Sequence, residues 1–435
     1  MANNALMQFT DRVFLAHESA FSLEAILPAS MLAVLFVGFF QSIVSYSGTF
    51  VAQYVGAGDA NGCRRSYYAG LLLAALSGVA FVLLIPFGNF IFDVCGHAPA
   101  VLAREKAYYS IVMSGGLFLC GAIAAQGYFT GQRLTRLVLG VNLVGNLVNI
   151  ALDPLFIFGC GPIPAGGISG AAIATVFAQA VQCVVLVGLA QRHIRATRNR
   201  AAEHPLLAAA TESVRTLVLR ILRYGTPAGV YSVLNILSFT IFVFVTGKIG
   251  DMAFAVSNAA FSVNYLLIAP IEGFAIGAST LVGLHQGAGH AQNALRAARR
   301  VLLMAETYIL LASVAVLVFR KPILALFATD ATAFDAAAFA ELGTILFALM
   351  VAWQFFDGAD VVLSGALKGA GDTRFVMVWM LVCAFVFWLP LVFLVYRVHP
   401  TMPALWGTMI AYVALICGGT WLRWQYGPWR KIKLV

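Results

Sequence analysis

Charge is what this 435-residue sequence lacks most. Asp, Glu, Lys and Arg make up 10% of it, against about a quarter in soluble domains. So few charged groups cannot cover a soluble globule of this size, and with 61% of its residues hydrophobic the chain takes lipid as its solvent. No stretch has the composition of a separate soluble domain. Paired-cysteine motifs are also missing. The seven cysteines, Cys63, Cys95, Cys120, Cys160, Cys183, Cys383 and Cys417, contain no CxxC spacing, which removes thiolate metal centres and redox motifs from consideration. Most read as packing residues, with Cys95 and Cys160 near one predicted membrane face and open to pairing. The histidines scatter over loops and helix ends, so the clustered ligands or bases of a polytopic membrane enzyme are absent. Met1 to Phe9 lacks the basic n-region and cleavage site of a secretory signal and reads as membrane helix. The net charge of +9 lies in short loops without the aromatic interleaving or basic groove that nucleic acid needs.

What is present is a series of apolar runs, each long enough to cross a hydrocarbon core of about 30 Å. They predict an all-α integral membrane protein of about twelve spans, near 1–17, 24–55, 66–92, 107–130, 136–158, 168–191, 220–246, 254–285, 297–319, 339–367, 375–396 and 404–426. Lys and Arg concentrate in alternate connections, which puts both termini in the cytoplasm by the positive-inside rule. The longest connection carries Arg192, Arg195, Arg198, Arg200 and Arg215 and reads as a linker. The organisation expected is an N-lobe over 1–191, a cytoplasmic linker over 192–219, a C-lobe over 220–426 and a tail over 427–435.

The two lobes repeat one another at a shift of 230 to 238 residues. Phe9, Thr10, Val13 and Phe14 align with Phe239, Thr240, Val243 and Phe244. The run Thr49 to Gly58 aligns with Thr280 to Gly289. Gly127, Gly131, Thr135 and Arg136 align with Gly365, Gly369, Thr373 and Arg374, and Gly170, Ile173 and Ala174 with Gly407, Ile410 and Ala411. An even number of spans separates the copies, so they share an orientation and imply a pseudo-two-fold axis along the membrane normal. A central cleft of that kind suits alternating access. The alignment also makes the first helix look truncated by about ten residues, since at 1.5 Å per residue a 17-residue span reaches only about 25 Å.

Acids inside the membrane are costly, which makes them functional candidates. Asn142, Asn146, Asn149 and Asp153 recur at spacings of 4, 3 and 4, along one helix face. Asn142 and Asn146 are open to a bland reading as bonds between helices. Asn149 and Asp153, one turn apart, offer the amide and carboxylate oxygens that suit a hard cation. The same row in the second copy reads Trp379, Cys383, Val386 and Pro390, and Asp11 maps onto Ile241, so the second lobe has lost this site. Its acids are Asp357 and Asp360, three apart on one face, and Glu272 after Pro270. They are open to cationic-substrate or proton binding and to a structural role. Glu24 and Glu306 read as helix-end residues. Arg12 beside Asp11 admits an ion pair, although adjacent helical residues point about 100° apart. Met31, Tyr265 and Trp353 are candidates for lining an apolar cavity, and Pro28, Pro154, Pro227, Pro270 and Pro390 for bend points.

The phrase Leu152-Asp153-Pro154-Leu155-Phe156-Ile157-Phe158-Gly159, followed by Gly170-Ala171-Ala172-Ile173-Ala174-Thr175, resembles the multidrug and toxic compound extrusion (MATE) family. So do Val51-Ala52-Gln53-Tyr54, Leu281-Val282-Gly283 and the run from Gly365 to Arg374. The resemblance implies a secondary antiporter, not an enzyme, in the bacterial inner membrane. It would expel amphipathic, often cationic, drug-like compounds in exchange for entering Na+ or H+, with no bound cofactor and as a monomer. It also implies a cation or proton site at Asp11, Asn149, Asp153 and Thr175, and a C-lobe carboxylate at Asp357. Where several members carry a glutamate on the seventh helix this chain has Asn235, which joins Asp357, Asp360, Glu272 and Tyr265 as a candidate substrate residue. A lipid-linked oligosaccharide flippase of the same superfamily is the alternative, with a polytopic membrane enzyme behind it, but the flippase's anionic cargo would call for basic groups in the cleft.

Overall fold

The computed structural model describes residues 14, 20–160, 164–201, 213–327 and 335–435. Eleven helices among the described residues are long and apolar enough to cross a membrane. They are α1 (Ala20–Ala57), α2 (Ala60–Cys95), α3 (Pro99–Gly131), α4 (Thr135–Ile157), α5 (Gly167–Ala201), α6 (Val214–Thr246), α7 (Asp251–Gly287), α8 (Ala291–Val318), α10 (Ala336–Ala370), the span Thr373–Val398, and α13 (Met402–Tyr426). A short α9 (Arg320–Phe327) precedes α10. The span Thr373–Val398 consists of α11 (Thr373–Leu381), a π-helical stretch Val382–Trp388 and α12 (Leu389–Val398).

These correspond in order to eleven of the twelve expected spans. The first, with Asp11, Arg12 and the expected truncation, lies outside the described residues except for Phe14. That residue is helical, and its ring meets Phe158 edge-on at 6.4 Å. Helices overrun the apolar windows because hydropathy marks only the length in lipid, while the backbone ladder continues to a cap. At the head of α2, Asp59 accepts a hydrogen bond from the Gly62 amide at 2.8 Å; at its foot, Gly96 turns left-handed with φ 70°.

The chain divides into two compact units, Met1–Val233 with Val435, and Leu234–Leu434. In the first, α3 is central and packs on α1, α2 and α5. A Cβ on Gly48 would lie 2.8 Å from the Gly127 Cα, and one on Gly131 would lie 3.0 Å from the Ala52 nitrogen. In the second, α10 is central and packs on α7, α8 and α13. Here a Cβ on Gly365 would meet the Ala275 carbonyl at 2.6 Å, and one on Gly369 the Ser279 carbonyl at 2.3 Å. The repeated glycine pairs therefore do the same work in each unit, letting two backbones touch where lipid offers no hydrophobic drive to hold helices together.

The second unit has an aromatic core. Trp388 stacks on Tyr412 at 4.3 Å and on Phe242 at 5.2 Å, and its Nε1 donates to Thr408 Oγ1 at 3.2 Å. Arg423 donates to Asp372 Oδ2 at 2.7 Å. The C-terminal segment is pinned by Gln286, whose Nε2 donates to the carbonyls of Trp429 and Ile432. All seven cysteines are free thiols, so the pairing open to Cys95 and Cys160 is not made; both are exposed, one ending α2 and the other beyond α4.

Candidate functional site

The α4 row is sorted by burial. Asn142 is half-buried, and its Oδ1 accepts from Gln126 of α3 at 3.3 Å, the interhelical bond that amides make in membranes. Deeper along the same face, Asn146 is 5% exposed, and Asn149 and Asp153 are fully buried. Asn149 Nδ2 donates to Asp153 Oδ1 at 3.1 Å. That bond leaves the Asn149 Oδ1 buried with no hydrogen-bond donor, and the Asn146 Oδ1 is in the same condition. An unsatisfied buried carbonyl costs about 1–3 kcal/mol. Oxygens of this kind beside a carboxylate form a donor set for a hard cation. Thr175 is half-buried on α5, which packs on α4. Asp11 lies outside the described residues.

In the second unit α7, α10 and α13 bring the acids together. Asp357 is within electrostatic reach of Asp360 and Glu272, and Lys368 within reach of Asp360 and Glu272. Asp360, 5% exposed, accepts a bond from Ser364 Oγ at 3.5 Å and is bonded by Thr420 of α13. Tyr412 bonds Ser238 of α6 and feels both Asp357 and Asp360. The cluster thus has three carboxyl groups, one ammonium and a fringe of hydroxyls. The expected trio is one constellation, but Lys368, Thr420, Tyr412 and Ser238 were not foreseen. The signal for Lys368 was available: it lies 8 residues after Asp360 and 11 after Asp357, at helical spacing on one face.

Other candidates stand elsewhere. Tyr265 is 55% and Met31 54% exposed, while Trp353 is buried against Phe261 and Trp406. Asn235 is exposed on α6, and the α6 residue that reaches the cluster is Ser238, one turn on. Glu306 is not at a helix end: it sits midway along α8 with its Oε1 buried and without a hydrogen bond. The Glu24 side chain lies outside the described residues. Glu105 went unread in the sequence, yet it is fully buried near the start of α3 and bonded at 2.8 Å to His97 Nδ1. Among the described residues no group of three or more His, Cys, Asp and Glu is arranged to hold a metal ion.

The sequence matches the MatE family over residues 1–155 and 227–394, one segment in each copy of the repeat. The chain belongs to the MatE family of multidrug and toxic compound extrusion transporters. Among curated relatives, a probable multidrug resistance protein NorM of Acinetobacter baylyi is 25% identical, covering 94% of this chain and 88% of that protein. The NorM of Thermotoga maritima is 23% identical, over 88% and 80%, and the multidrug resistance protein MdtK of Edwardsiella ictaluri is 23% identical, over 95% and 88%. Solved MatE-family structures share the fold. A MATE transporter in the straight conformation superposes with a TM-score of 0.83 at 17% identity, covering 99% of this chain and 94% of the other. A MATE transporter in the bent conformation gives 0.82 at 18%, over 99% and 93%.

Proposed function

We propose that this MatE-family member is a secondary antiporter of the bacterial inner membrane, exporting amphipathic, often cationic, drug-like compounds in exchange for entering Na+ or H+. Its relatives' names as multidrug resistance proteins support the substrate class. The observation that carries the coupling chemistry is the buried Asn149–Asp153 pair on α4, a carboxylate and amide oxygens at membrane depth.

In this reading Asp153, Asn149, Thr175 and Asp11 hold the coupling ion. A cation or proton at this buried carboxylate changes the charge held inside the first lobe. Ion entry from outside therefore favours one arrangement of the first lobe and ion release favours another, while the substrate prefers the opposite state. Differential affinity of the two ligands for two states is all that exchange by alternating access requires. Asp357, Asp360 and Glu272 give the substrate cation a negative surrounding in the second lobe. Lys368 offsets part of that charge. The protein works as a monomer with both termini cytoplasmic, and with no cofactor beyond the transported ion.

The test is ethidium efflux from energised vesicles with sodium and proton gradients imposed separately. Gradient-driven efflux by the wild type and its loss in Asp153→Asn, with the purified variant folded, are expected. Full gradient-driven efflux in Asp153→Asn would overturn the ion-site reading.

A further inference from the structure

A second polar site lies in the first unit, away from both acid groups. Where the start of α2 meets the end of α5 and the start of α6, a cavity of about 580 Å³ is lined by Arg64, Arg65, Tyr68, Gln191, Arg195 and apolar neighbours. Among the described residues, the acid that pairs with these guanidinium groups is Asp59, and it reaches only Arg65. Asp59 spends Oδ1 on capping α2 and offers Oδ2 to Arg65 Nη2 at 3.3 Å. The Arg65 Nε is buried with no hydrogen-bond acceptor, and Arg64 and Arg195 make no ion pair or hydrogen bond among the described residues. Tyr68 donates to Gln191 at 3.0 Å and ties α2 to α5 across the cavity. Planar donors in excess of their carboxylates, gathered around a cavity, are built for a tetrahedral oxyanion such as phosphate.

The surface leading away from the cavity is apolar. Below Tyr68, α2 exposes Leu72, Leu76, Val79 and Leu83, every three or four residues along its length. On α5, Val184 is exposed and shares a face with Gln191 and Arg195. Gly188 lies on that same face, and a Cβ there would meet nothing within 4 Å. The sequence of groups from helix end to helix middle is therefore guanidinium, tyrosine, open space at Gly188 and exposed aliphatic side chains. Such an order matches a phospholipid from headgroup to acyl chain. It also sits on the membrane face richest in Lys and Arg, where anionic headgroups are drawn.

We propose that this cavity is a binding site for the phosphate of an anionic membrane lipid, with an acyl chain lying along the exposed apolar face at Gly188. The site would fix the α2, α5 and α6 ends to the bilayer surface. The proposal is independent of the coupling ion.

The experiment measures thermal stabilisation of the purified protein in detergent as dioleoylphosphatidylglycerol, dioleoylphosphatidylcholine or millimolar inorganic phosphate is added. Phosphatidylglycerol should raise the melting temperature in a concentration-dependent way, and phosphatidylcholine should not. Arg64→Gln with Arg195→Gln should weaken the apparent affinity roughly five-fold for each guanidinium removed, about 1 kcal/mol apiece. Gly188→Leu keeps the arginines and places a side chain in open space; it should weaken the lipid effect and leave any inorganic-phosphate effect unchanged. An equal response to both lipids, or an unaltered phosphatidylglycerol response in both variants, overturns the site. Inorganic phosphate matching the lipid, with Gly188→Leu without effect, overturns the lipid as the source of the phosphate.

Discussion

Along α4 the polar row Asn146, Asn149 and Asp153 stays on one buried face. At the matching positions of Thr373–Val398, Cys383 is buried while Val386 and Pro390 are exposed. The sequences differ, and so does the helix. The π-helical stretch Val382–Trp388 inserts an extra residue into the turn, and the buried line moves onto Ala384, Trp388 and Val392. Trp388 then fills the lobe with an aromatic stack on Tyr412 and Phe242. One copy of the repeat thus keeps a buried amide and carboxylate pair on its helix, and the other has turned the equivalent span into packing. The second lobe's acids stand instead on α7 and α10.

Four substitutions would sharpen or break this contrast. Asp153→Asn should have the largest effect, reducing gradient-driven efflux in vesicles to the level without protein while leaving thermal unfolding close to wild type. Trp388→Ala should act in the opposite way: about 3–5 kcal/mol of lost stability, read as a lower melting temperature, with the folded fraction still selecting the same coupling ion. If it instead switched or abolished ion coupling, the second lobe would not be merely packed there. Asp360→Asn should lower ethidium affinity several-fold in a binding titration without removing ion dependence, because Asp357 and Glu272 remain. Asn142→Ala should do least, costing about 1 kcal/mol for its bond with Gln126 and leaving transport near wild type.

Much of this contrast was legible in the sequence. The Asn149–Asp153 spacing placed both groups on one helix face, and their replacement in the second copy was read from the repeat. The glycine pairs at Gly127, Gly131, Gly365 and Gly369 stood out as landmarks of the repeat, and the close helix contacts that only a missing side chain permits are what the fold adds. Other features left weaker traces. A π-turn has no composition of its own, so alignment alone returned a loss of polarity without the change of face. Glu105 carried no signal of its own; it is buried and bonded to His97, eight residues earlier, a contact that only the fold brings about. Glu306 was read as a helix-end residue because apolar windows blur the depth of a single acid. Lys368 was hidden inside a glycine-rich motif whose shape drew more notice than its charge.

The central claim is that ion coupling resides in the first lobe. Purified protein in weakly buffered detergent solution, titrated with ethidium while protons released or 22Na+ displaced are counted, tests it most directly. The account predicts substrate-triggered ion release from the wild type and from Asp360→Asn, and none from Asp153→Asn. Undiminished release from Asp153→Asn, with loss in Asp360→Asn, would contradict it and move the coupling chemistry to the second lobe.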